Sequence, residues 1–265
     1  MRTIERVAVP VNWTPESDRA RVVASTLARW AGVGVELVTV AEPIMAATLK
    51  PRLIELARNA TAPTTWRIVE TGGTPEAALL TELARDENQL WCLGSHARGA
   101  LGELLVGSLS EDFVRHAHVP VMLVGPEVDV APTGRVLAVA LDGTEQSESI
   151  LPGAAELALS LGMTLRLLQV ASIREHVPPD VSESAYLSHA AARVSHFERD
   201  AVDYDILHGE HPAADIADYV AAHAEVGVVA LATRGLSGSG RLLHGSTAFD
   251  VAHRASIPVL ILHKV

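Results

Sequence analysis

Two Gly-Ser pairs, Gly107-Ser108 and Gly245-Ser246, each open a helix-like stretch and each follow a glycine-containing turn. Glycine lets a backbone come close to a ligand, and the free N–H groups of a helix start suit phosphate. A serine there can cap the helix or bond an oxygen. The chemistry this combination can perform is binding of a phosphorylated nucleotide. Upstream of the first pair lies Leu93-Gly94-Ser95-His96-Ala97-Arg98-Gly99, and upstream of the second lies Leu231-Ala232-Thr233-Arg234-Gly235. Further forward, Asn12 and Asp142 each end an apolar run, and Val40 and Val170 each end the next one.

These residues come in pairs because the chain repeats itself. Gly107 and Gly245 are 245 − 107 = 138 positions apart, as are Pro120 and Pro258. Asn12 and Asp142 are 142 − 12 = 130 apart, and Val40 and Val170 share that spacing. Matching type, order and spacing on this scale means duplication. Most of the extra length of the second copy lies between Val170 and Pro212. The expected domains are 1–126 and 134–265, joined by a linker at Gly125–Gly134 where Pro126 and Pro132 interrupt the periodicity.

The elements that must position the site residues alternate between strand and helix. Strands are expected at Val7–Val11, Val35–Val40, Trp66–Val69, Leu90–Gly94 and Val119–Val124. The second copy repeats them at Val136–Leu141, Thr164–Val170, Tyr204–Leu207, Val226–Ala232 and Pro258–Leu262. In the first copy, helical spacing covers Ser17–Ala31, Ala47–Ala60, Pro75–Arg85 and Ser108–His116. The longer second-copy segment, Ile173–Ser195, begins irregularly, with helical character over Ser184–Arg199. Alternation of this kind gives an α/β fold: two tandem Rossmann-like domains, each a doubly wound parallel five-stranded sheet with helices on both faces. Ligands of such sheets sit outside the carboxyl ends of the strands, where these residues fall.

Composition narrows the function classes. A formal net charge of −11 over 265 residues argues against general affinity for nucleic acid or an anionic membrane surface. No apolar run approaches the roughly 20 residues that span a bilayer, and the expected location is cytoplasmic. The single cysteine, Cys92, lies inside an apolar run and reads as a buried thiol. The histidine clusters Arg115-His116-Ala117-His118 and His208-Gly209-Glu210-His211 do not have the spacing of a familiar metal site. No Gly-Lys-Ser or Gly-Lys-Thr occurs, so the glycine loops are not a Walker A motif. A Ser95–His96 nucleophile would need adjacent side chains in a turn to meet, which they rarely do.

On these motifs the chain resembles a tandem universal stress protein over nearly all its length. Many members of that family bind ATP through Gly, two residues, Gly, nine residues, Gly, then Ser or Thr. The first copy supplies Gly94, Ala97 and Gly107-Ser108; the second supplies Ala232, Gly235 and Gly245-Ser246, so each copy departs at one glycine. The resemblance also implies an Asp near the ribose and a Val near the adenine. Asp142 fits while Asn12 is a weaker acceptor, and both Val40 and Val170 fit. Arg241 beside the second loop can approach phosphate, where Glu103 stands in the first copy. The second copy is therefore the favoured site.

The implied cofactor is ATP, with Mg held only through the phosphates, and the implied function is an ATP-binding regulatory module in stress response. Slow ATP hydrolysis is an alternative, although no base is identifiable beyond Asp142. A partner-binding protein that has lost nucleotide binding is another, given the glycine missing from each copy. The resemblance implies that the two copies pack about a pseudo-twofold axis through their last strands. A homodimer is compatible with the chain, and its protein partner is not legible.

Overall fold

A computed structural model of the chain describes residues 4–83, 86–95, 108–171, 182–194, 202–233 and 247–263. The first copy runs β1 (Arg6–Pro10), α1 (Pro15–Ala31), β2 (Gly34–Ala41), α2 (Pro43–Arg58), β3 (Thr64–Glu70), α3 (Pro75–Leu83), β4 (Gln89–Gly94), α4 (Ser108–His116) and β5 (Val121–Val124). The second runs β6 (Val136–Leu141), α5 (Glu145–Glu148), α6 (Leu151–Leu161), β7 (Thr164–Ala171), α7 (Ser182–Val194), β8 (Asp203–His208), α8 (Pro212–Ala222), β9 (Val226–Ala232), α9 (Thr247–Arg254) and β10 (Val259–Leu262).

Each copy forms a parallel five-stranded sheet, ordered β3-β2-β1-β4-β5 and β8-β7-β6-β9-β10. The expected α/β, Rossmann-like architecture with two domains is what the structure shows. The two sheets also join. β5 and β10 pair antiparallel, with Val259 opposite Leu123, Leu260 opposite Met122 and Ile261 opposite Val121, which makes one ten-stranded sheet. All eight residues of these two strands are buried, so the seam is core rather than surface.

Both last strands start later than their apolar runs suggest, because Pro120 and Pro258 lack the N–H that a ladder needs. Their carbonyls still serve, accepting from Trp91 N at 3.1 Å and Val229 N at 3.2 Å.

One apolar layer covers each face of the sheet and runs through both copies. The first holds Leu27 of α1, Leu53 of α2, Leu157 of α6 and Leu187 of α7. The second holds Leu79 of α3, Phe113 of α4, Tyr219 of α8 and Val251 of α9. Helix ends follow local chemistry. Thr14 caps α1, Pro15 presets its first turn, and Gly32 closes it at φ 69°; Gly162 closes α6 at φ 62°.

Among the helices, three points go beyond the sequence expectation. α2 begins at Pro43, four residues before Ala47, because proline presets the first helical φ. The counterpart of the seventeen-residue α1 is split into α5 and α6 ahead of Pro152, whose ring and missing N–H interrupt a helix interior. In the long second-copy segment α7 spans Ser182–Val194, and the part expected beyond it lies outside the described residues.

Charge reverses between the copies at one repeated position. Glu36 and Arg166 are 166 − 36 = 130 apart. In the first copy Arg67 bridges Glu36, at 3.3 Å, and Glu82 of α3. In the second, Arg166 is the hub, donating to Tyr219 of α8 at 3.1 Å and Glu225 at 2.8 Å. Both networks clamp the outer strands to the helix beneath them.

Candidate functional site

The strand order reverses between β1 and β4, and again between β6 and β9, so a crevice opens at the carboxyl ends of those strands. Asn12 follows β1 and Gly94 ends β4; Asp142 follows β6 and Ala232 ends β9. Val40 and Val170 lie in the neighbouring strands β2 and β7. Pro10 pairs with Val38 and Leu141 with Gln169, which brings Asn12 level with Val40 and Asp142 level with Val170. Both valines are half-buried and pack on the second apolar layer, the face of α4 and α9. The structure thus brings together Asn12, Val40 and Gly94 in one copy, and Asp142, Val170 and Ala232 in the other. Ser108 is the first residue of α4. Gly107, Gly235, Arg241, Gly245 and Ser246 lie outside the described residues, as do Glu103 and His96.

The loop after the first strand is built the same way twice. Asp142 Oδ1 accepts from Thr144 N at 3.0 Å and from Thr144 Oγ1 at 2.6 Å. Asn12 Oδ1 accepts from Thr14 N at 3.3 Å and Thr14 Oγ1 at 2.9 Å. Each threonine then caps the next helix, taking Ser147 N at 3.1 Å or Ser17 N at 3.4 Å. The residue between must turn left-handed. Gly143 does so at φ 78° without cost, whereas Trp13 does so at φ 59° and is the one non-glycine residue with positive φ among those described. The Trp13 ring packs on the first apolar layer beneath Arg52, whose guanidinium lies 4.4 Å from it.

Charge distinguishes the copies. Partial burial pushes the Asp142 carboxyl up, but hydrogen bonds from Thr144 and Ser147 outweigh it and hold the group below the usual carboxylate range. Asp142 is therefore an anion at neutral pH, exposed at the mouth of the crevice. Asn12 offers the same shape without the charge.

Gly94 has a different task from the one its type suggests. A Cβ built there would stand 2.3 Å from the carbonyl oxygen of Glu16, in the first turn of α1. Its missing side chain lets α1 press onto β4. The second copy carries a real methyl at this place, in Ala232. There Gln146 Nε2 donates to the Thr233 carbonyl at 2.8 Å.

Gln146 and Trp13 are site-forming residues that sequence reasoning passed over, as is the turn-and-cap role of Thr144. The signal for the threonines was present: Asn-Trp-Thr and Asp-Gly-Thr recur at the repeat spacing, and Asx side chains favour such turns before a helix cap.

Among the described residues no group of three His, Cys, Asp or Glu is placed to hold a metal. Ser95 is buried with its hydroxyl unpartnered, and Cys92 is buried with its sulfur 3.3 Å from the Ala20 carbonyl.

The universal stress protein family model matches residues 3–125 and again 134–263. The chain belongs to the universal stress protein family. It carries that domain twice, as the internal repeat implies. The universal stress protein Rv2005c of Mycobacterium tuberculosis is 29% identical over 189 residues, which cover 68% of this chain. The match spans 63% of that curated relative's length. Among solved structures, a universal stress protein from Archaeoglobus fulgidus superposes with a TM-score of 0.77 at 18% identity, covering 99% of each chain. A functionally unknown protein from Pseudomonas aeruginosa gives 0.66 at 16% identity, covering 98% of this chain and 93% of its own. These two likenesses establish the fold. No helix among the described residues is long and apolar enough to cross a membrane.

Proposed function

We propose that this universal stress protein binds ATP in its second copy and acts as a regulatory module whose occupancy changes its partners or assembly under stress. The observation that carries the reading is the exposed Asp142 carboxylate, ionised and oriented by Thr144 at the crevice between β6 and β9. A fixed carboxylate there suits the two hydroxyls of a ribose, and Gly143 leaves the approach bare. In the first copy the equivalent turn offers only the Asn12 amide, with a tryptophan at the glycine position.

The remaining residues fit a nucleotide in kind. Val170 presents an apolar surface for the base from the adjoining strand. Gly235, Gly245, Ser246 and Arg241 lie outside the described residues and enter by type alone: glycine adds no side chain against a ligand, and Ser246 and Arg241 would offer a donor and positive charge to phosphate, with the start of α9 beside them. ATP brings its own phosphate charge, and Mg2+ would enter through those phosphates. The chain's residues bind and orient.

The test is a comparison of ATP affinity in Asp142→Ala and Asn12→Ala. A hydrogen bond to a charged group contributes about 1.5–3 kcal/mol, so Asp142→Ala should weaken binding by roughly 10- to 150-fold. Asn12→Ala should leave it unchanged. Equal effects, or loss only in Asn12→Ala, would overturn the assignment to the second copy.

A further inference from the structure

We propose that Tyr186 of α7 is a positioning residue for the second-copy site: it holds the Asp142-Gly143-Thr144 turn from outside, in place of the aromatic side chain that the first copy carries on the turn itself. This role rests on the nucleotide reading above and adds to it a residue from a different element.

The two turns are anchored differently. In the first copy the turn carries Trp13, whose ring packs on the first apolar layer with the Arg52 guanidinium 4.4 Å away. The helix behind that turn, α1, is one piece of 17 residues. In the second copy the matching residue is Gly143, which turns at φ 78° and has no ring to bury. The helix behind it is α5, four residues long and separate from α6. A glycine turn on so short a helix has more freedom to lose when a ligand binds. Its anchor must come from another element.

α7 supplies that anchor. The Tyr186 ring packs on the same apolar layer as Trp13. Its hydroxyl is shut off from solvent and faces Glu148, the Ser147 side chain and the Gly143 backbone. Ser147 is itself tied into the turn, its hydroxyl accepting from Asp142 N at 3.2 Å and donating to the Thr144 carbonyl at 3.0 Å. Arg193 of α7 pairs with Glu148, so the helix grips α5 at two points. Burial, then the Glu148 charge, push the phenol up to about 12, so it keeps its proton at neutral pH. The hydroxyl makes no hydrogen bond of normal geometry, and a buried hydroxyl left so is costly. A small settling of the turn lets it accept from the Gly143 N–H and leaves its own proton for Glu148. Tyr186 thereby favours one closed position of the turn that carries Asp142.

The test uses the full chain, with ATP and 2′,3′-dideoxy-ATP titrated calorimetrically into the wild type, Tyr186→Phe, Asp142→Ala and the double variant. Tyr186→Phe keeps the ring on its layer and removes only the hydroxyl. It should weaken ATP binding about two- to tenfold, the worth of one hydrogen bond. Dideoxy-ATP has no ribose hydroxyl for Asp142 to accept from, and its affinity should not change. The Tm of Tyr186→Phe should not fall, because the hydroxyl removed was unmatched. In the Asp142→Ala background the same change should cost nothing further. Unchanged ATP affinity in Tyr186→Phe would make Tyr186 a packing residue and overturn the role. Equal losses for both nucleotides, or an undiminished loss in the Asp142→Ala background, would overturn it as well. ATP binding that Asp142→Ala leaves intact would instead overturn the nucleotide reading, and the role of Tyr186 with it.

Discussion

Replacing Gly94 by alanine should damage the fold and spare nucleotide binding. The added Cβ would lie 2.3 Å from the Glu16 carbonyl oxygen, 2.5 Å from its carbon and 2.9 Å from its Cβ. Real Cβ contacts essentially never fall below 3.0 Å, and two of these three neighbours are backbone, which cannot rotate away. The start of α1 must then lift off β4, disturbing a layer in which Ala20, Val23 and Leu27 are all buried. Overpacking of this kind costs about 1–3 kcal/mol, and the backbone clash places it at about 3. For a chain of this size, unfolding as one unit, that is a fall in Tm of roughly 6–12 °C. Calorimetry reads it directly. The reciprocal change, Ala232→Gly, adds no clash and should cost about 0.5–1 kcal/mol through backbone freedom. An unchanged Tm in Gly94→Ala together with lost ATP binding would refute the reasoning, because the glycine would then serve the ligand and not the helix.

Gly125→Ala should open the seam between the copies, since its Cβ would stand 1.7 Å from the Ala252 carbonyl oxygen; a second, separate unfolding transition in urea is the expected sign, and one unshifted cooperative transition would count against it. His263 takes the matching place after β10, and burial, then the nearby His118, hold its pKa down to about 4. The unfolded chain therefore binds one more proton between about pH 6.5 and 4, so stability should fall over that window and level off below it. Discounted for partial exposure, the loss is about 1–2 kcal/mol; His263→Gln should flatten the profile, and an unaltered slope would contradict the assignment. Cys92 is fully buried and its thiol is pushed up by that burial, so a thiol reagent should react only as fast as the protein unfolds, and prompt labelling of the native chain would contradict this.

The repeat made most of the fold legible. Offsets of 130 and 138 located both copies, the strands followed from buried apolar runs, and the meeting of the two last strands was anticipated from the family resemblance. What escaped notice depends on distances between elements that a sequence does not display. Gly94 reads as a ligand-approach glycine, yet it is occupied by the backbone of Glu16. Trp13 looks like an ordinary loop aromatic, and nothing in its type announces a left-handed backbone. The reversal from Glu36 to Arg166 is visible in the chain but has meaning only once Arg67, Glu82, Tyr219 and Glu225 are seen around it. Pro152 carries a signal for the divided helix, but Pro51 sits inside the unbroken α2, so the helix-breaking rule alone does not locate the split.

The most direct test of the account is the stoichiometry of Mg-ATP binding to the purified, nucleotide-free chain, measured by titration calorimetry on the wild type and on Asp142→Ala. The account predicts one nucleotide per chain in the wild type, with binding weakened at least tenfold in the variant. No heat in the wild type, or one site that Asp142→Ala leaves intact, would contradict it.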